Sequence, residues 1–308
     1  MPHVTKQCVK KRNIMNKEKL TGMIAPMVVP FDKRGELDEK AFRKEARYLL
    51  DHGVDGISSG GSTGEGALLS DGELRRCLEL ISEENSRNSP LYAGIIRNSS
   101  RDVIRAGLDA KACGADVLLV TPVFYHGATE EGNFEFYREI GEKVHLPVII
   151  YNVVASNLIT PEQFTRLSKL EWIIGIKQVD PVRLAEIAAF NDGSYNVYAA
   201  CDQMLYGTYV AGACGAFSAM VTIAPELCKR QWNAFKRGDQ REAMAIQKRM
   251  VPIVMTYLQA PYPGKVKALI NLQGRTGGLP RKPILPVKGE LLKRMRTALR
   301  NAKLNVKA

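Results

Sequence analysis

Residues 147–151 read PVIIY and residues 172–177 read WIIGIK, two apolar runs of strand length that each close on one polar side chain, Tyr151 and Lys177. Neither run alternates apolar with polar residues. Both faces are therefore buried, which is the habit of parallel sheets covered by helices. Runs of the same kind lie on either side: 23–30 (MIAPMVVP), 54–59 (VDGISS), 91–96 (LYAGII), 116–121 (DVLLVT), 195–200 (YNVYAA) and 214–219 (CGAFSA). Amphipathic segments separate them, at 39–51, 71–86, 101–113, 130–143, 161–170, 181–190, 203–211 and 225–237. Two carry readable N-caps, Ser70 before Asp71 and Glu73, and Thr160 before Pro161 and Glu162. This rhythm predicts an α/β fold, a (β/α)8 TIM barrel over 20–238, close to the roughly 250 residues typical of that architecture. An open doubly wound sheet fits less well, because the rhythm never changes and no G-x-G-x-x-G follows the first run.

Beyond the barrel, 239–258, 263–273 and 287–303 are predicted as helices punctuated by Pro261, Pro263, Pro280, Pro283 and Pro286. They are too few for a core of their own, so the region 239–308 should pack on the barrel. The formal net charge of the 308 residues is +12. Residues 1–19 hold six basic residues against one acidic and residues 281–308 nine against one, so the tails carry +5 and +8 and the body stands at −1. Residues 1–19 are thus read as a basic extension. A nucleic-acid module would carry its charge on a folded face with motif support, which is not the pattern here. No apolar run approaches the roughly 18 residues of a membrane span, and the N-terminus lacks the apolar core of a secretory signal. The expectation is a soluble, cytoplasmic protein with no membrane or nucleic-acid partner. The six cysteines form no C-x-x-C pair and the four histidines have no ligand spacing, so no metal centre and no cofactor is expected.

In such a barrel chemistry sits at the C-terminal ends of the strands. The second run ends in Gly60-Gly61-Ser62-Thr63-Gly64-Glu65, the fourth in Thr121-Pro122-Val123-Phe124-Tyr125, the fifth in Tyr151-Asn152 and the sixth in Lys177-Gln178. One βα unit separates Tyr151 from Lys177, so the two should project side by side. A lysine on such an apolar strand is rarely buried without a partner. An uncharged amine at a barrel mouth can attack a 2-oxo acid and form an imine that serves as electron sink. The plainer alternative is a lysine that snorkels to solvent. A phenol one strand away could move the protons of that chemistry, or could be a core tyrosine with a satisfied hydroxyl. The glycine-rich loop could close its amides and hydroxyls on a carboxylate or phosphate, or be an ordinary turn, and it lacks the lysine of a P-loop.

These motifs, in order, resemble the dihydrodipicolinate synthase/N-acetylneuraminate lyase superfamily of Schiff-base aldolases: Gly61-Ser62-Thr63-Gly64-Glu65, Thr121-Pro122 with Phe124-Tyr125, Tyr151-Asn152-Val153 and Gly175-Ile176-Lys177-Gln178. The resemblance spans about Leu20 to Leu292. It implies a class I lyase in which Lys177 forms the imine with pyruvate or a related 2-oxo acid and Tyr151 transfers protons. It further implies a relay of Tyr151, Ser62 and a Tyr125 reaching in from a neighbouring subunit of a homodimer or homotetramer. Gly61, Ser62 and Thr63 would hold the carboxylate, with the carbonyl of Phe217 and the side chain of Asp202 near the substrate. The sequence also departs from the family. Where dihydrodipicolinate synthases resemble Y-N-V-P-x-R-T, with an arginine gripping a second carboxylate, this chain has Ser156. The lyase branch's Gly-x-Asp-Glu is here Ala200-Cys201-Asp202-Gln203, and its later serine is Ala219. A different 2-oxo acid, such as a deoxy sugar acid, is therefore expected. The alternatives are 4-hydroxy-tetrahydrodipicolinate synthase proper, a dehydratase or deaminase, or a non-catalytic barrel that binds a keto acid. Arg97 is a candidate for the missing cation or a surface ion pair. Asp202 could instead cap the helix that follows, and His126 and Cys201 are read as an exposed loop residue and a small buried hydrophobe.

Overall fold

A computed structural model describes residues 20–86 and 89–307. The basic extension assigned to 1–19 lies outside these residues. Eight parallel strands close into a barrel in chain order: β1 (Gly22–Pro26), β2 (Gly56–Ser59), β3 (Leu91–Ile95), β4 (Val117–Val120), β5 (Val148–Asn152), β6 (Ile173–Gln178), β7 (Asn196–Ala199) and β8 (Gly215–Phe217). The last pairs with the first, Gly22 opposite Gly215 and Ile24 opposite Phe217. Every apolar run of the sequence supplies one strand. The first strand is shorter than its run because the chain leaves the ladder after Pro26, although Met27–Val29 stay fully buried.

Inside the barrel, Ile24, Tyr92, Leu119, Ile149, Ile174 and Tyr198 pack together, so the interior is filled with side chains and is not a pore. Leu20 closes the lower end, where its carbonyl accepts a hydrogen bond from Tyr198 Oη at 2.7 Å. The larger apolar cluster lies between the strands and the surrounding helices α1 (Glu39–Asp51), α2 (Asp71–Glu84), α3 (Ser100–Ala112), α4 (Glu130–Val144), α5 (Pro161–Leu167), α6 (Pro181–Ala189) and α7 (Leu205–Val210). Ser70 caps α2 in a reciprocal box with Glu73. Thr160 does the same for α5, with Gln163 at N3 as its reciprocal partner rather than Glu162.

After β8 comes a short helix that periodicity does not predict, α8 (Ala219–Ile223). All five residues are buried, Thr222 with its hydroxyl donating to the Pro26 carbonyl, and a helix buried all round has no amphipathic period to read. Then follow α9 (Pro225–Lys236), α10 (Gln240–Val254), α11 (Gly264–Leu272) and α12 (Gly289–Asn301). α10 packs against α9 and α12, and α11 against α8 and α12, so the last helices rest on the barrel's own elements. Among the described residues no helix is long and apolar enough to cross a membrane.

Candidate active site

The site is built at the C-terminal rim, where β5 and β6 are in register with Tyr151 opposite Lys177. Lys177 is only 4% exposed. Its Nζ lies 3.9 Å from the centre of the Tyr151 ring and 4.6 Å from that of Phe217 on β8. Among the described residues no carboxylate forms an ion pair with it. The amine is neither in bulk solvent nor locked to an acid, and it faces a cavity of about 330 Å³.

The loop after β2 forms the opposite wall as a tight 3-10 turn over Ser62–Gly64. Its compactness depends on Gly66, where an added Cβ would fall 1.6 Å from the Gly60 carbonyl oxygen. The turn places Ser62 Oγ to accept a hydrogen bond from Tyr151 Oη at 3.2 Å. Thr63 Oγ1 is paired with Tyr262 Oη at 2.7 Å. Burial pushes the Tyr262 phenol well up from its ordinary titration range, so it remains a neutral hydroxyl.

Asp202, just after β7, reaches the same cavity and accepts a 2.5 Å hydrogen bond from Tyr257 Oη. Burial raises its carboxyl above the usual carboxylate range, an effect opposed by its hydrogen-bond donors and by Lys177. It does not cap α7, the helix that follows, whose N-cap is Met204. Phe217 and Ser218 complete the wall beside Lys177.

Other residues singled out in the sequence lie elsewhere. Gly61 is not on the cavity wall; its carbonyl accepts from the amides of Gly64 and Gly66 and so closes the loop. Tyr125 is 78% exposed on the rim and stays clear of the cavity of its own chain. The amides of Phe124 and Tyr125 both donate to Asn98 Oδ1, at 2.8 and 3.1 Å, which fixes that loop. Arg97 does not supply a cation to the site. Its guanidinium is held by Asp71 at 3.0 Å and by the carbonyls of Gly66, Ile96 and Leu69. Ser156 Oγ donates to the Phe124 carbonyl at 3.0 Å. Cys201 is buried with its thiol directed to the Gln178 carbonyl, and His126 is an exposed neighbour of Tyr125.

Sequence reasoning missed Tyr257, Tyr262 and Lys267, all supplied by the region after 239. Lys267 and Glu65 form an ion pair, each side chain 1% exposed. Glu65 adopts a left-handed backbone, φ 55°, and its other carboxylate oxygen accepts the Arg281 amide at 2.9 Å. Burial brings the Lys267 amine down to about 8 against the opposing pull of Glu65. The pair ties the Ser62–Thr63 loop to the segment that carries Tyr262. The one signal was the string Pro261-Tyr262-Pro263, which reads as a helix break and not as a wall. Among the described residues no group of three histidine, cysteine, aspartate or glutamate side chains is placed to share a metal ion.

Residues 19–302 match the family model of the dihydrodipicolinate synthetase family. Similar proteins include the 4-hydroxy-tetrahydrodipicolinate synthases of Nitrobacter hamburgensis, 31% identical with 94% of this chain and 99% of the relative covered, and of Bradyrhizobium diazoefficiens, 29% identical with 94% and 98% covered. Among solved structures, the chloride-inhibited dihydrodipicolinate synthase of Acinetobacter baumannii, complexed with pyruvate, superposes with a TM-score of 0.88 at 27% identity, covering 92% of this chain and 99% of that one. A prophage protein of the dihydrodipicolinic acid synthase family from E. coli K12, also in complex with pyruvate, gives a TM-score of 0.87 at 26% identity over the same shares.

Proposed function

The chain belongs to the dihydrodipicolinate synthetase family, and from that premise we propose that it is a class I lyase in which Lys177 captures the keto carbon of pyruvate or a related 2-oxo acid as an imine. The observation that carries this reading is a buried amine, free of any carboxylate ion pair, lying 3.9 Å from the ring of a tyrosine whose hydroxyl meets Ser62 in the same cavity.

The substrate carboxylate accepts hydrogen bonds from the Ser62–Thr63 turn, with Thr63 held in place by Tyr262. The Lys177 amine adds to the ketone, Tyr151 Oη delivers a proton to the departing hydroxyl, and water leaves. The protonated imine then draws electrons from the neighbouring carbon–carbon or carbon–hydrogen bond and becomes an enamine. Ser62 gives the Tyr151 proton a second oxygen to move to, so the phenol acts as acid in one step and base in the next. The apolar wall of Phe217 keeps bulk water from the amine.

We further assign the enzyme to a homodimer or homotetramer, supported by the exposed Tyr125 ring on a rim loop pinned by Asn98. The test of the imine is direct: incubation with pyruvate and borohydride, then peptide mass spectrometry, should find the reduced adduct on Lys177, and Lys177→Ala should lose it. An unlabelled Lys177 in the unaltered protein would end this assignment.

A further inference from the structure

A second pocket of about 390 Å³ opens beside the Lys177 cavity and shares Ser62, Val153 and Tyr262 with it as common wall. Most of its remaining surface is apolar, with Leu68, Ile96, Phe124, Val154 and Ile284 on the wall. Glu65, the carboxylate on that wall, is committed to Lys267 and to the Arg281 amide. Ser156 donates to the Phe124 carbonyl, and Arg97 is engaged with Asp71, so neither brings a cation to the pocket. Besides the Ser62 and Tyr262 hydroxyls of the shared wall, one buried hydroxyl lacks a partner. Thr121 is 1% exposed, lines the pocket, and its hydroxyl has no hydrogen-bond partner.

The pocket is held open by its supports. Arg281, next to the Pro283–Ile284 wall, is clamped by Glu73 and donates to the carbonyls of Leu68 and Gly35. Asn98 fixes the Phe124 side. A charged group placed here would find no free counter-charge on the wall, and a polyol would have only the hydroxyls of Thr121, Ser62 and Tyr262 to meet among apolar side chains.

We propose that this pocket receives an uncharged hydrocarbon group of the reaction partner, so that the enzyme joins pyruvate to an apolar aldehyde R–CHO or releases the two from R–CH(OH)–CH2–CO–COO−. The proposal rests on the imine at Lys177 and adds the substrate class. In the cleaving direction the bond between C3 and C4 breaks as Tyr151 takes the C4 hydroxyl proton, and the electron pair passes into the imine. The enamine regains a proton at C3, and water frees pyruvate from Lys177. Atoms and electrons balance with no further reagent.

The experiment uses the full chain in two arms. The first is borohydride trapping of pyruvate on Lys177. The second compares kcat/KM for condensation of pyruvate with propanal, butanal, pentanal and succinic semialdehyde, with products identified by mass spectrometry. The expected result is a rise of about fourfold for each added methylene, the factor that burying one CH2 supplies, with pentanal ahead of the anionic aldehyde. Ile284→Asp should flatten that series. Trapping on Lys177 together with a flat or falling series, a preference for succinic semialdehyde, or no condensation at all would overturn the proposal and leave the imine standing. Failure of trapping would overturn the imine itself and this proposal with it.

Discussion

Replacing Lys267 by methionine tests whether the rim is held together from behind. Methionine keeps most of the side-chain volume but removes the ammonium that pairs with Glu65 and donates to the Leu279 carbonyl at 2.8 Å. Both charged groups are 1% exposed, so solvent cannot replace the lost partner. Removing one member of a buried pair costs about 3–5 kcal/mol, most of it the uncompensated charge that remains. With an unfolding entropy of about 2.1 cal/mol/K per residue, that loss lowers the melting temperature of a chain of this size by roughly 5–8 °C. Glu65 lies two residues after Thr63, so the variant should also raise KM for pyruvate. Calorimetry and urea titration at neutral pH measure the first effect, and trapping at graded pyruvate concentrations the second. The double variant Glu65→Gln, Lys267→Met removes the stranded charge and should recover at least about 1 kcal/mol over Lys267→Met alone. A single variant losing less than about 1 kcal/mol, or a double variant whose losses simply add, would refute the reasoning.

Tyr151→Phe should lower kcat by about 10²–10⁴ while pyruvate still labels Lys177, because the phenol moves protons and does not form the bond; full turnover in rapid-quench kinetics would contradict that role. Thr63→Val strands the Tyr262 hydroxyl and should raise KM for pyruvate roughly 5–10-fold, in line with about 1–1.5 kcal/mol for one hydrogen bond, with Tyr262→Phe giving a smaller rise. Arg281 holds the Glu73 carboxyl at about 2 against an ordinary 4.5. Between those values the unfolded chain binds a proton that the folded chain does not, so stability is complete above pH 4.5 and falls as the pH drops toward 2. In acid titrations followed by circular dichroism, Glu73→Gln should remove on the order of 2 kcal/mol of that dependence, after screening of a partly exposed pair. An unchanged acid limb would assign the transition to other carboxylates.

The strands were legible because each is a local event. A strand buried on both faces must be a short continuous apolar run, and 148–152 and 173–178 satisfy that without reference to the rest of the chain. Register followed from the same rhythm, and with it the adjacency of Tyr151 and Lys177. Helix ends marked by Ser70 and Thr160 were also visible, since a cap bonds within three residues. The α8 helix was not, because five buried residues have no polar face to mark a period.

The sequence alone therefore determined the barrel and placed Lys177, Tyr151 and the Ser62–Thr63 loop at its C-terminal rim. The tertiary structure decided what surrounds them. Thr63 meets Tyr262 across 199 positions, Asp202 meets Tyr257 across 55, and Glu65 after β2 meets Lys267 on α11, beyond β8 in the chain. It also decided that Arg97 is engaged elsewhere and that the pocket beside Lys177 is apolar. Periodicity records which face of an element is buried, whereas these partners are chosen by closure of the barrel and by where the last helices settle on its rim, and no local pattern encodes either.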